Sequence, residues 1–182
     1  FANNKTAQKP IPMKEEFLIS ECFMLSVNAA FQRANVYKDS SNAIRKIYLK
    51  RMMKGYIDNT IISQYKNDIS EKDHIANIKS VSDYSTCFED ILANGKLNFG
   101  VSQKLLNLYL KYMWCLGIIT SPPPHFPVDS IIQKKLKLKV IPWTKIKDEE
   151  DYLKVINHAK TVLPNYSYKT IAELELMLFR RN

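Results

Sequence analysis

The feature that most constrains this chain is the run over residues 101–116, Val-Ser-Gln-Lys-Leu-Leu-Asn-Leu-Tyr-Leu-Lys-Tyr-Met-Trp-Cys-Leu. At helical spacing, Leu105, Leu108, Tyr109, Tyr112 and Leu116 make one apolar face, and Leu106, Leu110 and Met113 make a second. A helix apolar on most sides belongs at the centre of a core, with other elements covering it. Its ends are marked. Gly100 stands in the turn before it and Gly117 closes it. Ser121-Pro-Pro-Pro-His125-Phe-Pro127 cannot continue as helix, because each proline lacks an amide donor and restricts the residue before it. One narrow polar stripe interrupts the apolar surface, with Lys104, Asn107 and Lys111 at i, i+3 and i+7.

The remainder of the chain reads as helices that could cover this one. From about residue 14 to 34, Leu18, Cys22, Leu25 and Ala29 recur on one face. A second helix capped by Asp39 or Ser40 would bury Ile44, Ile47, Tyr48 and Met52 and turn Arg45, Lys46, Lys50, Arg51 and Lys54 outward. Thr60-Ile-Ile leans to helix, and Ser70-x-x-Asp73 resembles a cap for a helix carrying Ile75 and Ile78. A further helix from Ser82 or Asp83, with Tyr84, Phe88, Ile91 and Leu92 on one side, would stop at Asn94-Gly95. Asp129 is an N-cap for the segment starting at Ser130. Asp148 caps a helix with Tyr152, Val155, Ile156, Ala159 and Leu163 on its core face. Thr170-x-x-Glu173 is a capping box ahead of Ile171, Leu174 and Leu178. The expectation is an all-α, compact multi-helix domain of roughly eight to ten helices at ordinary helix lengths. It spans 14–182 in two lobes around a central helix–hairpin–helix, with residues 1–13 as a flexible arm.

The 182 residues suffice to bury a core without staples. Twenty-seven basic against 18 acidic side chains give a net charge of +9, which favours an anionic partner, nucleic acid before membrane. The three cysteines, Cys22, Cys87 and Cys115, are widely spaced among apolar residues, as buried reduced thiols are. There is no Cys-x-x-Cys pair or Cys/His cluster for zinc or iron–sulfur, no 18-residue apolar run, and no secretory signal pattern at the start. These point to a reducing cytoplasm, with no metal and no cofactor. His74 and His158 read as surface residues, His125 as a hydrogen-bonding loop residue, and Trp114 and Trp143 as core.

Gly100-Val-Ser-Gln-Lys104-Leu-Leu-Asn107 resembles the Gly-Val-Gly-x-Lys-x-x-Asn run at the hairpin of helix–hairpin–helix DNA glycosylases, the endonuclease III and 8-oxoguanine glycosylase superfamily. Pro127-Val-Asp129-Ser-Ile131 is similar to the Pro-Val-Asp run that follows it there, in the same order, and the terminal Ala172-Glu-Leu-Glu-Leu-Met-Leu-Phe179 has a fainter likeness to bacterial members. Ser102 stands where the family has its second hairpin glycine. Asn98-Phe99 replaces Leu-Pro, the proline run lengthens the Lys-to-Asp interval, and the cluster cysteines of endonuclease III are absent.

The resemblance implies a DNA glycosylase with β-lyase activity that excises a damaged purine such as 8-oxoguanine from double-stranded DNA. It further implies Lys104 as Schiff-base nucleophile and Asp129 as catalytic carboxylate. Asn98, Gly100 and Ser102 at the hairpin, with Lys134 and Lys135 after Asp129, would contact DNA. A flipped base requires a pocket, for which Phe99, His125, Phe126 and Trp143 are the candidates. The expected protein is a monomeric, nucleoid-associated cytoplasmic enzyme. The alternative is a non-catalytic helical nucleic-acid-binding module of the same fold.

Overall fold

The computed structural model describes residues 12–179. Among them are seven α-helices and no β-strand. These are α1 Met13–Phe31, α2 Ala43–Tyr56, α3 Glu71–Tyr84, α4 Phe99–Cys115, α5 Ser130–Lys135, α6 Glu149–Val162 and α7 Ile171–Leu178. Short 3-10 turns and one π-turn, Ile57–Ile61, join or extend them. Most of the arm expected at 1–13 lies outside the described residues, and Met13 is already in α1.

The apolar run is the centre of the molecule, as its sequence requires. Leu105, Leu106, Tyr109 and Leu110 of α4 are wholly inaccessible. α1 and α3 pack along α4, and the 3-10 turn Trp143–Lys145 closes over its N-terminal end. Asn98 caps α4 by accepting from the Val101 amide. Ser70, Asp129 and Asp148 cap α3, α5 and α6, and Thr170 with Glu173 forms the capping box of α7. Of the core face expected for α6, Tyr152, Val155, Ile156 and Ala159 lie inside, while Leu163 falls past the helix in a 3-10 turn and is half-buried.

Two buried faces differ from expectation. α1 buries Ile19, Phe23, Val27 and Ala30, and leaves Leu18 and Leu25 about half exposed. Both stripes are apolar, so periodicity alone does not choose between them. The Phe23 ring set edge-on to Tyr109 at 5.3 Å fixes the rotation. α2 is capped by Asn42 and buries Leu49 and Met53, leaving Ile44 76% and Ile47 67% exposed. Here Arg45 sets the roll of the helix, gripping Asp90 through two hydrogen bonds and lying over the Phe88 ring.

The helix expected over 82–92 is replaced by the end of α3, a 3-10 turn at Ser85–Phe88 and a series of turns leading to Asn98. Serine hydroxyls divert the backbone. Ser82 donates to the Leu97 carbonyl, and Ser85 accepts from the Leu97 amide. Segment 36–38 then pairs with 91–93, Lys38 N donating to Ile91 O and Ala93 N to Val36 O. The cysteines are free, with Cys87 and Cys115 exposed and Cys22 half-buried rather than all buried. No helix among the described residues is long and apolar enough to cross a membrane. None of their His, Cys, Asp or Glu side chains form a group of three that could hold a metal ion.

Candidate functional site

α4 delivers Lys104 and α5 delivers Asp129 to the same place. The Lys104 amine lies 4.0 Å from Asp129 Oδ2, and both residues line a cleft of about 880 Å3. The cap geometry of α5 orients the carboxylate. Asp129 Oδ1 accepts from the Ile131 and Ile132 amides, which leaves Oδ2 turned toward the amine.

Two buried amides of α4 hold the proline-rich segment in register. Gln103 Nε2 donates to Val128 O while Gln103 Oε1 accepts from Val128 N, and Asn107 Nδ2 donates to Phe126 O. Sequence reasoning placed Asn107 on the polar stripe and missed Gln103. A glutamine one residue before the lysine, inside an apolar helix, was the available signal, because a buried amide needs partners.

Burial works against the charge on Lys104, while a ring face and a carboxylate beside it favour that charge. The residue is 6% exposed, and its Nζ sits 3.4 Å from the centroid of the Trp143 ring. The indole is fixed by its Nε1–H, which donates to Ala30 O of α1. Burial lowers the Lys104 pKa from its ordinary value, the Asp129 charge opposes that, and Arg33 adds to the lowering.

A second pair, missed in the sequence, completes one wall. Lys111, one polar-stripe step further along α4, holds Glu175 of α7 at 2.8–3.0 Å and lies over the Phe179 ring. Glu175 is 2% exposed, and burial pushes its carboxyl up against the pull of Lys111. Its signal was position: Glu175 follows Ile171 by one helical turn and so lies on the buried face of α7.

The other expected site residues are placed differently. Gly100 and Ser102 are buried, and the first-turn amides of α4 are already used within the protein. Gly100 N donates to Ile146 O, Val101 N to Asn98 Oδ1 and Ser102 N to Asn98 O. A series of turns, not the expected short link from a helix over 82–92, leads into α4, and it presents none of these three donors to a phosphate. Gly100 serves close packing: a Cβ there would lie 1.7 Å from Trp143 O. Asn98 and Phe99 border a separate cleft of about 520 Å3, shared with Lys79, Lys96 and Lys147.

Of the expected base-pocket residues, Phe99, His125 and Phe126 lie in the interior. Phe99 packs edge-on to Tyr152, and His125 Nδ1 pairs with the Tyr152 hydroxyl. Trp143 is buried beneath the Lys104 amine. The aromatic residues that do line the Lys104 cleft are Tyr112 and Phe179. Lys134 and Lys135 are exposed on the last turn of α5. His74, read as a surface residue, is inaccessible and paired through Nδ1 with the Tyr65 hydroxyl.

Chemically, the cleft offers a desolvated amine, a carboxylate beside it, a neutralised second ion pair and apolar walls. No protein-family model, no curated protein and no solved structure matches this chain.

Proposed function

We propose that the protein is a DNA glycosylase with β-lyase activity in which Lys104 is the nucleophile and Asp129 the stabilising carboxylate. The observation that carries this reading is the 4.0 Å pairing of the two side chains in one cleft. Cleavage of an N-glycosidic bond develops positive charge at the sugar C1′, and a carboxylate beside it lowers the barrier electrostatically. The Lys104 lone pair forms a bond to C1′ as the C1′–N bond breaks, and the base leaves with its bonding electrons and takes up a proton. The attached nitrogen then gives up a proton, the C1′–O4′ bond breaks with O4′ taking up a proton, and a C1′=N iminium remains. Loss of the C2′ proton then expels the 3′ phosphate by β-elimination. The amine must be neutral to attack, and burial shifts its titration in that direction. The net charge of +9 suits a polyanionic substrate. Excision of an 8-oxoguanine-like purine follows from the sequence resemblance.

Borohydride trapping on duplexes carrying an abasic site or 8-oxoguanine tests this. Wild type is expected to give a covalent adduct, and Lys104→Gln to lose it by at least about 10³-fold. Asn caps a helix as well as Asp, so Asp129→Asn is expected to retain the fold while base excision falls by about 10²–10³-fold. The trapping rate should rise with pH toward the ordinary lysine range. In Asp129→Asn the midpoint should move further down, because the carboxylate that favours the ammonium has gone. A wild-type protein that traps neither substrate refutes the reading.

A further inference from the structure

The Gly100, Val101 and Ser102 amides of α4 are spent inside the fold, so a nucleic-acid strand entering the Lys104 cleft needs another surface for its phosphates. A groove of about 600 Å3 adjoins the cleft. It runs beside the C-terminal half of α1 and includes Tyr37 and Lys50. Leu25, Ala29 and Gln32 line both, so the two form one continuous depression.

No carboxylate lines this groove. α2 carries five basic side chains and no acidic one. Arg45 and Lys54 are committed to Asp90 and Asp58, while no ion pair engages Lys46, Lys50 or Arg51 among the described residues. Lys50 lines the groove, and the Lys46 amine lies 4.9 Å over the ring of Tyr37, itself a groove residue. The Tyr37 hydroxyl has no hydrogen-bond partner within the described protein. Arg33, exposed and next in the chain to Gln32, adds a charge that disfavours protonation of Lys104. Lys50 in the groove and Lys46 over Tyr37 thus give it positive charge from α2.

We infer that this groove holds the phosphodiester strand that continues from the nucleotide in the Lys104 cleft, with Lys46 and Lys50 each meeting a phosphate. The inference rests on the glycosylase reading for the identity of the strand. Continuity with the cleft and the absence of negative charge favour a polyanionic chain over an acidic peptide or a lipid surface. Asn28 and Gln32 add polar groups suited to sugar and phosphate oxygens.

Equilibrium binding to a duplex with a stable abasic-site analogue, across a salt series, tests the inference. Each phosphate contact contributes about 0.9 to the slope of log K against log salt. Lys46→Gln/Lys50→Gln is therefore expected to flatten the slope by about 2. Lys66→Gln/Lys72→Gln, which removes the same charge from exposed positions elsewhere, should leave the wild-type slope unchanged. Equal slopes in the two double variants overturn the inference. It is also overturned if the groove variant instead loses binding to phosphatidylserine vesicles with its DNA slope intact, which would mark a membrane surface. A flattened slope in a protein that never traps substrate supports the groove as a nucleic-acid site while refuting the lyase chemistry. Trapping with an unaltered slope does the reverse.

Discussion

Gly100→Ala is expected to destabilise the protein by about 3 kcal/mol, the upper range for overpacking a dense interior. At 2–4 °C per kcal/mol for a chain of this size, that lowers the melting temperature by roughly 6–12 °C. The added methyl would lie 1.7 Å from Trp143 O and 3.0 Å from the Ile146 Cβ. The obstructing oxygen belongs to backbone, so no side-chain rotation relieves the clash. The Gly100 amide also donates to Ile146 O, tying α4 to the segment that must yield. The consequence reaches the site. Trp143 carries the ring beneath the Lys104 amine, so displacing this turn loosens the floor under the proposed nucleophile. Thermal melting measures the first effect. A melting temperature within 2 °C of wild type would show that the turn moves freely.

Acidification is expected to cost a comparable amount through two interior histidines. His74 and His125 pack ring to ring, 4.7 Å apart and nearly perpendicular. Asn107 Nδ2 donates to the Tyr152 hydroxyl, and that hydroxyl is paired with His125 Nδ1. Asn77 and Tyr65 stand in the same relation to His74. Each Nδ1 is thus held by a tyrosine hydroxyl, while Glu71 Oε1 stands 3.6 Å from His125 Nε2. Burial, with Lys160 adding to it, holds His125 down at about 3 against an ordinary 6.5, and burial followed by the neighbouring His125 holds His74 well below that value.

The unfolded chain binds these protons near pH 6.5 and the folded one does not. The stabilising contribution is therefore complete above pH 6.5 and is lost as pH falls toward the folded values. Between pH 7.5 and pH 5, His125 alone should remove about 2 kcal/mol, at about 1.4 kcal/mol per unit below its unfolded pKa, with His74 adding a loss of the same sign. Urea midpoints across that range check the loss, and imidazole NMR titration checks that the rings stay neutral in the folded protein. A flat midpoint would contradict it.

Much of the helical outline was legible because it depends on local physics. Ser70, Asn98, Asp129, Asp148 and Thr170 cap helices through their own neighbouring amides. The core face of α6 is legible as far as Ala159 because one face is apolar and the other charged. Helices α1 and α2 were read one stripe off because each has two apolar stripes, and only a partner selects between them. Phe23 against Tyr109 does this for α1, and Arg45 against Phe88 and Asp90 for α2. The segment over 82–92 has helical composition, yet serine hydroxyls and pairing with 36–38 claim its backbone groups.

The sequence by itself determined that α4 is central, since so apolar a helix has no other place to go. It also determined that Lys104 and Asp129 stand at the starts of two successive helices. The tertiary structure decided that they meet. Gln103 and Asn107 hold the proline-rich segment against α4 through bonds spanning 19–25 residues of chain, which no local pattern encodes. It decided that the first-turn amides of α4 serve the fold, because Ile146 and Asn98 reach them first. It decided, too, that Lys111 is neutralised while Lys104 sits looser beside its carboxylate. Glu175 comes within 3.0 Å of Lys111, and Asp129 stays at 4.0 Å from Lys104 with its other oxygen committed to α5. Charge type is written in the chain, but the separation that sets its chemistry comes only from packing.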